Sequence, residues 1–221
     1  MDIERARFNM IEQQIRPWSV LDPEILELLS VMRREDFVPP AYRAMAFTDM
    51  EIPLVIGDRA TGESMLSPKV EARILQELGV RRHESVLEIG TGSGWMAALL
   101  AHRGRHVDTI EIDPDIARFA SANLQRAGVA NAVVRCADGS DPALELPAYD
   151  VIVLSGSVPE VPAHLLAKLA VGGRLVAIVG RPPIMPVQQV TRGPGGTSTV
   201  AHFETFAPPL RGFGARSTFK F

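Results

Sequence analysis

Cysteine is almost absent: Cys136 is the one thiol in 221 residues. An intrachain disulfide is therefore excluded, and the fold must be held by its core. No apolar run approaches the ~18 residues that a membrane-crossing helix needs. The N-terminus, Met1-Asp2-Ile3-Glu4-Arg5-Ala6-Arg7, has no apolar signal core. A cytoplasmic protein with no membrane partner is expected. Basic blocks are missing too, with 23 Lys and Arg against 26 Asp and Glu and a net charge of −3. Binding to phosphate backbones needs a clustered basic face, so nucleic acid is excluded as a main partner. The pairs Arg33-Arg34 and Arg81-Arg82 read as solvated surface. The five histidines form no cluster, and no metal site is expected.

What the chain does have is apolar material, 46% of its residues, which is ample for a core. Its length suits one large domain or a domain with an appendage. The expected division is an accessory segment over 1–80 packed on a main domain over 81–221. In the first part a helix follows Asp22-Pro23 through Met32, and Pro39-Pro40 and Pro53 punctuate an irregular stretch. A second helix runs from Pro68 to Leu78 and stops at Gly79, with Ser67 at its N-cap.

From residue 81 onward, strands and helices alternate. The apolar patterns predict strands at Ser85–Ile89, His106–Glu111, Ala132–Cys136, Asp150–Ser155 and Arg174–Val179, with Gly172-Gly173 as the turn before the fifth. They predict helices near Trp95–His102, Pro114–Ala127 and Pro162–Leu169. Cys136 is expected as a small apolar side chain in a buried strand. This order implies a doubly wound α/β fold, mostly parallel, with helices on both faces. Val187–Arg192 and Thr197–Phe206, joined through Gly193-Pro194-Gly195-Gly196, add an antiparallel hairpin and bring the sheet to seven strands.

The most informative stretch is Val86-Leu87-Glu88-Ile89-Gly90-Thr91-Gly92-Ser93-Gly94-Trp95. A strand runs into three glycines on alternate positions, and a helix follows at once. Such a turn lets a ligand lie against bare backbone at the helix N-terminus, where open α/β sheets hold nucleotide-like cofactors. The dinucleotide fingerprint would place its third glycine at position 95, which is Trp95. The spacing present, preceded by Glu88, resembles instead the first motif of S-adenosylmethionine-dependent methyltransferases. Two acids follow in order. Glu111, at the tip of the second strand, suits ribose hydroxyls, as such a carboxylate does for several adenosine cofactors. Asp138, followed by Gly139 after the third strand, matches the position where methyltransferases commonly accept from the adenine amino group. Gly90, Thr91, Gly92, Ser93 and Gly94 are expected around the methionine part, with Glu88 orienting the loop or the cofactor's amino group.

Over roughly residues 8–180 the chain resembles the protein-L-isoaspartate O-methyltransferase family. The resemblance rests on Met10-Ile11-Glu12-Gln13-Gln14-Ile15-Arg16-Pro17, Phe37-Val38-Pro39, Ala46-Phe47-Thr48-Asp49 and Ile52-Pro53-Leu54. The glycine segment, Ala137-Asp138-Gly139 and Gly172-Gly173-Arg174-Leu175-Val176 complete it. The run from Glu12 to Arg16 is specific, since general methyltransferases lack it. The resemblance implies a seven-stranded Rossmann-like methyltransferase sheet with an N-terminal helical extension. It also implies S-adenosylmethionine as cofactor and isoaspartyl-containing proteins as substrates, methylated on the α-carboxylate in repair of damage.

One segment departs from the family. Its members carry a hydroxyl in a Thr-Ile-Ser-x-Pro-like run, and alignment on Pro68 puts Leu66 at that hydroxyl, with Ser67 one position later. The preceding Val55–Ser64 is longer and lacks the family's Gly-Gln-Thr run. Either Ser67 supplies the catalytic hydroxyl, or the acceptor is another carboxylate or a small molecule. A carboxylate acceptor, with a pKa of ~3.9, is already ionised and needs no general base. The chain's task is then alignment and desolvation, with the first N–H groups of the Pro68–Leu78 helix beside the acceptor. A scaffold that only binds adenosine, and a nicotinamide oxidoreductase, are the readings from other classes.

Overall fold

A computed structural model describes residues 2–183 and 185–214. Strands β3 (Ser85–Ile89), β4 (His106–Glu111), β5 (Ala132–Cys136), β6 (Tyr149–Val158) and β7 (Leu169–Val179) run parallel. They are continued by the antiparallel β8 (Pro186–Gly193) and β9 (Gly196–Glu204), giving the order β5-β4-β3-β6-β7-β8-β9. The order reverses between β4-β3 and β6, and that switch point opens at the C-terminal ends of the strands, where doubly wound sheets bind ligands.

Period-2 alternation places the core. Val86, Val151, Val153, Val176 and Ile178 point to one face, which is covered by α3 (Pro68–Leu78), α4 (Trp95–Arg103) and α5 (Pro114–Arg126). Leu87, Ile89, Ile152, Leu154, Leu175 and Ala177 point to the other, under the single turn α6 (Ala163–Leu166). Helix α5 starts as the residues require: Asp113 caps it by accepting from the N–H of Asp115 and Ile116, and Pro114 occupies its first position. Apolar side chains of the first eighty residues belong to the same buried cluster as the first face. Among them are Met10, Ile15 and Leu29, the last from α2 (Pro23–Val31). No described helix is long and apolar enough to cross a membrane.

Four details differ from the expectations. The irregular stretch contains a hairpin, β1 (Ile52–Ile56) with β2 (Arg59–Met65), closed at Gly57-Asp58 where Gly57 takes φ +60°. Pro53 argues against a central strand, but β1 pairs only with β2, so a residue without an N–H is tolerated. The third predicted helix shrinks to one turn, because Leu169 already pairs with Tyr149 in β7. Gly172-Gly173 is a bulge inside β7 rather than a turn before it. A Cβ on Gly173 would lie 2.7 Å from the Asp150 carbonyl oxygen. Cys136 is exposed, because β5 is an edge strand.

The family-marking run at the N-terminus continues α1 (Ile3–Met10) as a π-helical turn over Ile11–Ile15, ending at Ser19 in the left-handed region. Gln14 leaves this turn to donate to the Phe47 carbonyl at 3.1 Å. Such turns recur near functional sites because they re-aim one side chain.

Candidate active site

The glycine loop joins β3 to α4, and all three of its glycines are left-handed, with φ of +90°, +53° and +84° at Gly90, Gly92 and Gly94. It is supported from within. Gly90 and Thr91 donate their N–H groups to the Ile110 carbonyl, Gly94 donates to Thr91, and Gly92 donates to Glu111 Oε2 at 3.0 Å. The second carboxylate oxygen of Glu111 accepts from the Asp113 N–H at 3.0 Å. One acid at the end of β4 thus fixes both the loop and the entry to α5.

Glu88 lies beneath the loop with no exposed surface. The Thr109 hydroxyl donates to its Oε2 at 2.7 Å and the Ser155 hydroxyl to its Oε1 at 2.6 Å, while Thr91 and Thr109 share a further bond of 2.6 Å. Burial pushes Glu88 up to about 8; the two hydroxyl bonds oppose the rise, and the nearby Glu71 and Glu111 add to it. Burial also raises Glu111, against the bonds from Asp113 and Gly92. Asp113 goes the other way, to about 2, chiefly because Arg59 grips it with both Nη atoms.

The elevated Glu88 gives a test. The native chain keeps this proton between 4.5, its ordinary value, and about 8, whereas the unfolded chain has released it. Its contribution to stability is therefore complete at pH below 4.5 and is lost as pH rises to about 8. Glu88→Gln cannot ionise. It is expected to melt near the wild type at pH 5 and above it at pH 9, by thermal denaturation at both. An offset independent of pH would contradict a buried neutral carboxyl.

Space beside the loop consists of two cavities of about 60 and 40 Å³ that share Ser64, Gly90, Gly92 and Ser155 in their walls. Glu111 and Gly139 line the larger; Glu88, Thr91, Ser93 and Leu66 line the smaller. Three predicted residues stand elsewhere. Gly94 lines neither; its missing side chain lets α4 approach α5, since a Cβ there would lie 3.3 Å from the Ala120 carbonyl oxygen. Asp138 is exposed and accepts from both the N–H and the hydroxyl of Ser140, although its neighbour Gly139 is on the wall. Ser67 occupies the N-cap position of α3, its hydroxyl makes no capping bond, and it lines neither cavity.

Other residues complete the site. Ser64 is on both walls, and the alignment on Pro68 that exposes Leu66 also places Ser64 at the family's Thr, a signal present in the sequence. Ser155 ends a predicted strand at the switch point. The Arg211–Phe221 tail is a basic and aromatic mix whose sequence leaves open whether it closes the pocket or lies on the surface; Arg211 and Phe213, with Leu210, roof the larger cavity. The Leu210 N–H donates to Ser157, Arg211 reaches Glu63 at 2.5 Å and the Thr61 carbonyl at 2.8 Å, and Phe213 stacks on His164. Residues 215–221 of that tail lie outside the described residues.

Two wall positions admit no side chain, which leaves main chain for a ligand to lie against. A Cβ on Gly90 would come within 2.7 Å of Leu210 and one on Gly139 within 2.7 Å of Ile89, so the walls need glycine at both positions. The two cavities together are smaller than the ~300 Å³ typical of sites for ligands of this class, and the Leu210 side chain lies over Gly90.

Comparison with known proteins points the same way. The family model for Protein-L-isoaspartate(D-aspartate) O-methyltransferase matches residues 5–205. Protein-L-isoaspartate O-methyltransferase 1 of Syntrophobacter fumaroxidans is 37% identical over 196 residues, covering 89% of each chain. The Protein-L-isoaspartate O-methyltransferase of Methanoculleus marisnigri is 38% identical over 196 residues, 89% of this chain and 87% of that one. Among solved structures, a protein-L-isoaspartate O-methyltransferase shares the fold with a TM-score of 0.77 at 24% identity, over 92% of this chain and 65% of that one. A Plasmodium falciparum protein described as a putative member, in complex with S-adenosyl-L-homocysteine, superposes with a TM-score of 0.75 at 16% identity, over 96% of this chain and 99% of that one. The chain belongs to the protein-L-isoaspartate (D-aspartate) O-methyltransferase family.

Proposed function

We propose that this chain is an S-adenosylmethionine-dependent O-methyltransferase that esterifies the α-carboxylate of L-isoaspartyl residues in damaged proteins, with the cavities beside the Gly90–Gly94 loop as its site. The observation that carries the reading is the placement of the glycine loop, Glu111 and Gly139 on one cavity system in a chain that matches the family over residues 5–205. When bound, the cofactor supplies an activated methyl group on a sulfonium centre.

The chain's own residues do the rest. The bare Cα surfaces of Gly90 and Gly92 face the methionine end, and the Glu111 carboxylate accepts from the ribose hydroxyls while keeping its two backbone bonds, since each oxygen has a second lone pair. Gly139 bounds the adenine region, with Asp138 as acceptor for the amino group once its bond to Ser140 is shared. Entry requires Leu210 and Arg211 to shift from the roof. On the acceptor side Ser64, which lines both cavities and whose hydroxyl donates to Glu51 at 3.3 Å, takes the part given above to Ser67. The acceptor carboxylate is ionised at neutral pH, so no residue needs to remove a proton; alignment and exclusion of water account for the catalysis. The same reading makes proteins carrying isoaspartyl sites its partners, in the cytoplasm, with no role for nucleic acid.

A labelled methyl donor with an isoaspartyl peptide and its aspartyl counterpart tests the proposal. Base-labile label is expected on the isoaspartyl peptide alone. Binding of S-adenosylhomocysteine without label on that peptide would instead support the second reading, favoured by Leu66, of a different acceptor.

A further inference from the structure

Resting on the proposed methyl transfer, we infer that Arg34 is a positioning residue for the reaction, holding the acceptor-side corner at Leu66 against the first turn of α3 and the stretch at Ala46. Sequence reasoning placed Arg34 on the solvated surface, but it is 1% exposed and among the largest fully buried side chains. Its guanidinium joins the stretch before β1, at Ala46, to the start of α3. Nη2 donates to the Leu66 carbonyl at 2.7 Å, Nη1 donates to the Ala46 carbonyl at 3.0 Å, and Nε and Nη2 reach Glu71 Oε2 at 3.3 and 3.0 Å.

Two of those three partners are on the wall of the smaller cavity. Leu66 immediately precedes Ser67, the N-cap of α3, and Glu71 is in the first turn of that helix. Trp95, which follows Gly94 directly, lines the same cavity as Leu66 and Glu71 and packs edge-on against Phe37 at 5.3 Å. Arg34 therefore fixes Leu66 and Glu71 on a cavity wall that continues through Trp95 to the loop. Burial raises the Glu71 carboxyl, and Arg34 offsets part of that rise.

Buried ion pairs seldom add net stability over apolar side chains of similar volume, so this one is poorly explained as a simple brace. Its geometry is what an apolar pair could not supply. A planar fork fixes two carbonyls and a carboxylate at set angles, and lysine cannot make all of these bonds at once. In-line displacement is sensitive to such placement: a misalignment of ~1 Å costs on the order of 100-fold in rate.

The molecule contains its own control. Arg7 and Glu35 form a second buried pair, with side chains 5% and 3% exposed and a contact of 2.7 Å, and neither lines the cavities. Arg34→Lys and Arg7→Lys are to be compared with the wild type by steady-state kinetics on an isoaspartyl peptide, calorimetry with S-adenosylhomocysteine and thermal melting. Arg34→Lys is expected to lose about 100-fold in kcat, with cofactor affinity within about threefold of the wild type. Arg7→Lys is expected to lose a similar amount of Tm and to keep kcat within about threefold. Equal losses of kcat in both variants, or an unchanged kcat in Arg34→Lys, would overturn the inference. Should Arg34→Lys fail to fold, Glu71→Gln replaces it: kcat about tenfold down at unchanged cofactor affinity supports the inference, and kcat at the wild-type level overturns it. A wild type that binds S-adenosylhomocysteine but leaves the peptide unmethylated overturns the functional reading itself, and is recognised before any variant is made.

Discussion

Replacing Glu111 by alanine is expected to weaken S-adenosylhomocysteine binding about 100-fold, equivalent to about 2.8 kcal/mol. Two terms combine in that loss. Hydrogen bonds to a charged acceptor contribute about 1.5–3 kcal/mol each, and the ribose offers two hydroxyls to this carboxylate. The Gly92 and Asp113 N–H groups also lose their acceptor, so the loop is less well held before any ligand arrives. Glutamine separates the terms poorly, and for a physical reason. Both oxygens of Glu111 already accept a backbone N–H, so the amide NH₂ of Glu111→Gln must face a donor. That variant is expected to melt below Glu111→Ala as well as to bind weakly. Calorimetry and thermal melting on both variants check the pair of statements; wild-type affinity in Glu111→Ala would remove Glu111 from the cofactor site.

A second large effect is expected at Gly90, with Gly62 as its control. Both are left-handed, at φ +90° and +82°, so alanine strains the backbone at each by about 1–2 kcal/mol. Around Gly62 a Cβ meets nothing within 4 Å, whereas at Gly90 it would lie 2.7 Å from the Leu210 Cδ2 methyl, at the cavity wall. The clash is with the far end of a flexible side chain, so Gly90→Ala is expected to fold. It should melt only modestly below Gly62→Ala, yet lose at least about 30-fold in affinity for S-adenosylhomocysteine, while Gly62→Ala keeps wild-type affinity. Similar affinities in the two variants would mean that the ligand does not lie against Gly90.

Much of this architecture can be read in the residues because it rests on local, repeated signals. The short apolar runs at Ser85–Ile89 and His106–Glu111 coincide with β3 and β4, and Asp113-Pro114 starts α5 where a cap and a first-position proline should. The loop and Glu111 were legible for the same reason, since a glycine run and an acid at a strand tip need only sequence spacing to be recognised. What escaped depends on partners far along the chain. Arg34 is charged and adjacent to Arg33, and only its contacts 12, 32 and 37 residues away make it a core residue. The hairpin β1–β2 was hidden by Pro53, which is harmless only because that strand has a single neighbour. Leu210 reaches Gly90 from the other end of the chain, and no periodicity in the tail announces that contact. Spacing from Pro68 points to Ser67, but the chain turns into α3 at that residue, leaving Ser64 and Leu66 at the cavity.

The central claim is that the bend after β3, with Glu111 beside it, is the seat of an adenosyl methyl donor. A crystal structure of the chain grown with S-adenosylhomocysteine tests it most directly. The account predicts ribose hydroxyls on the Glu111 carboxylate, the purine next to Gly139, the sulfur turned toward Ser64 and Leu66, and Leu210 displaced from Gly90. Density for the ligand at any other place, with Leu210 still resting on Gly90, would contradict it.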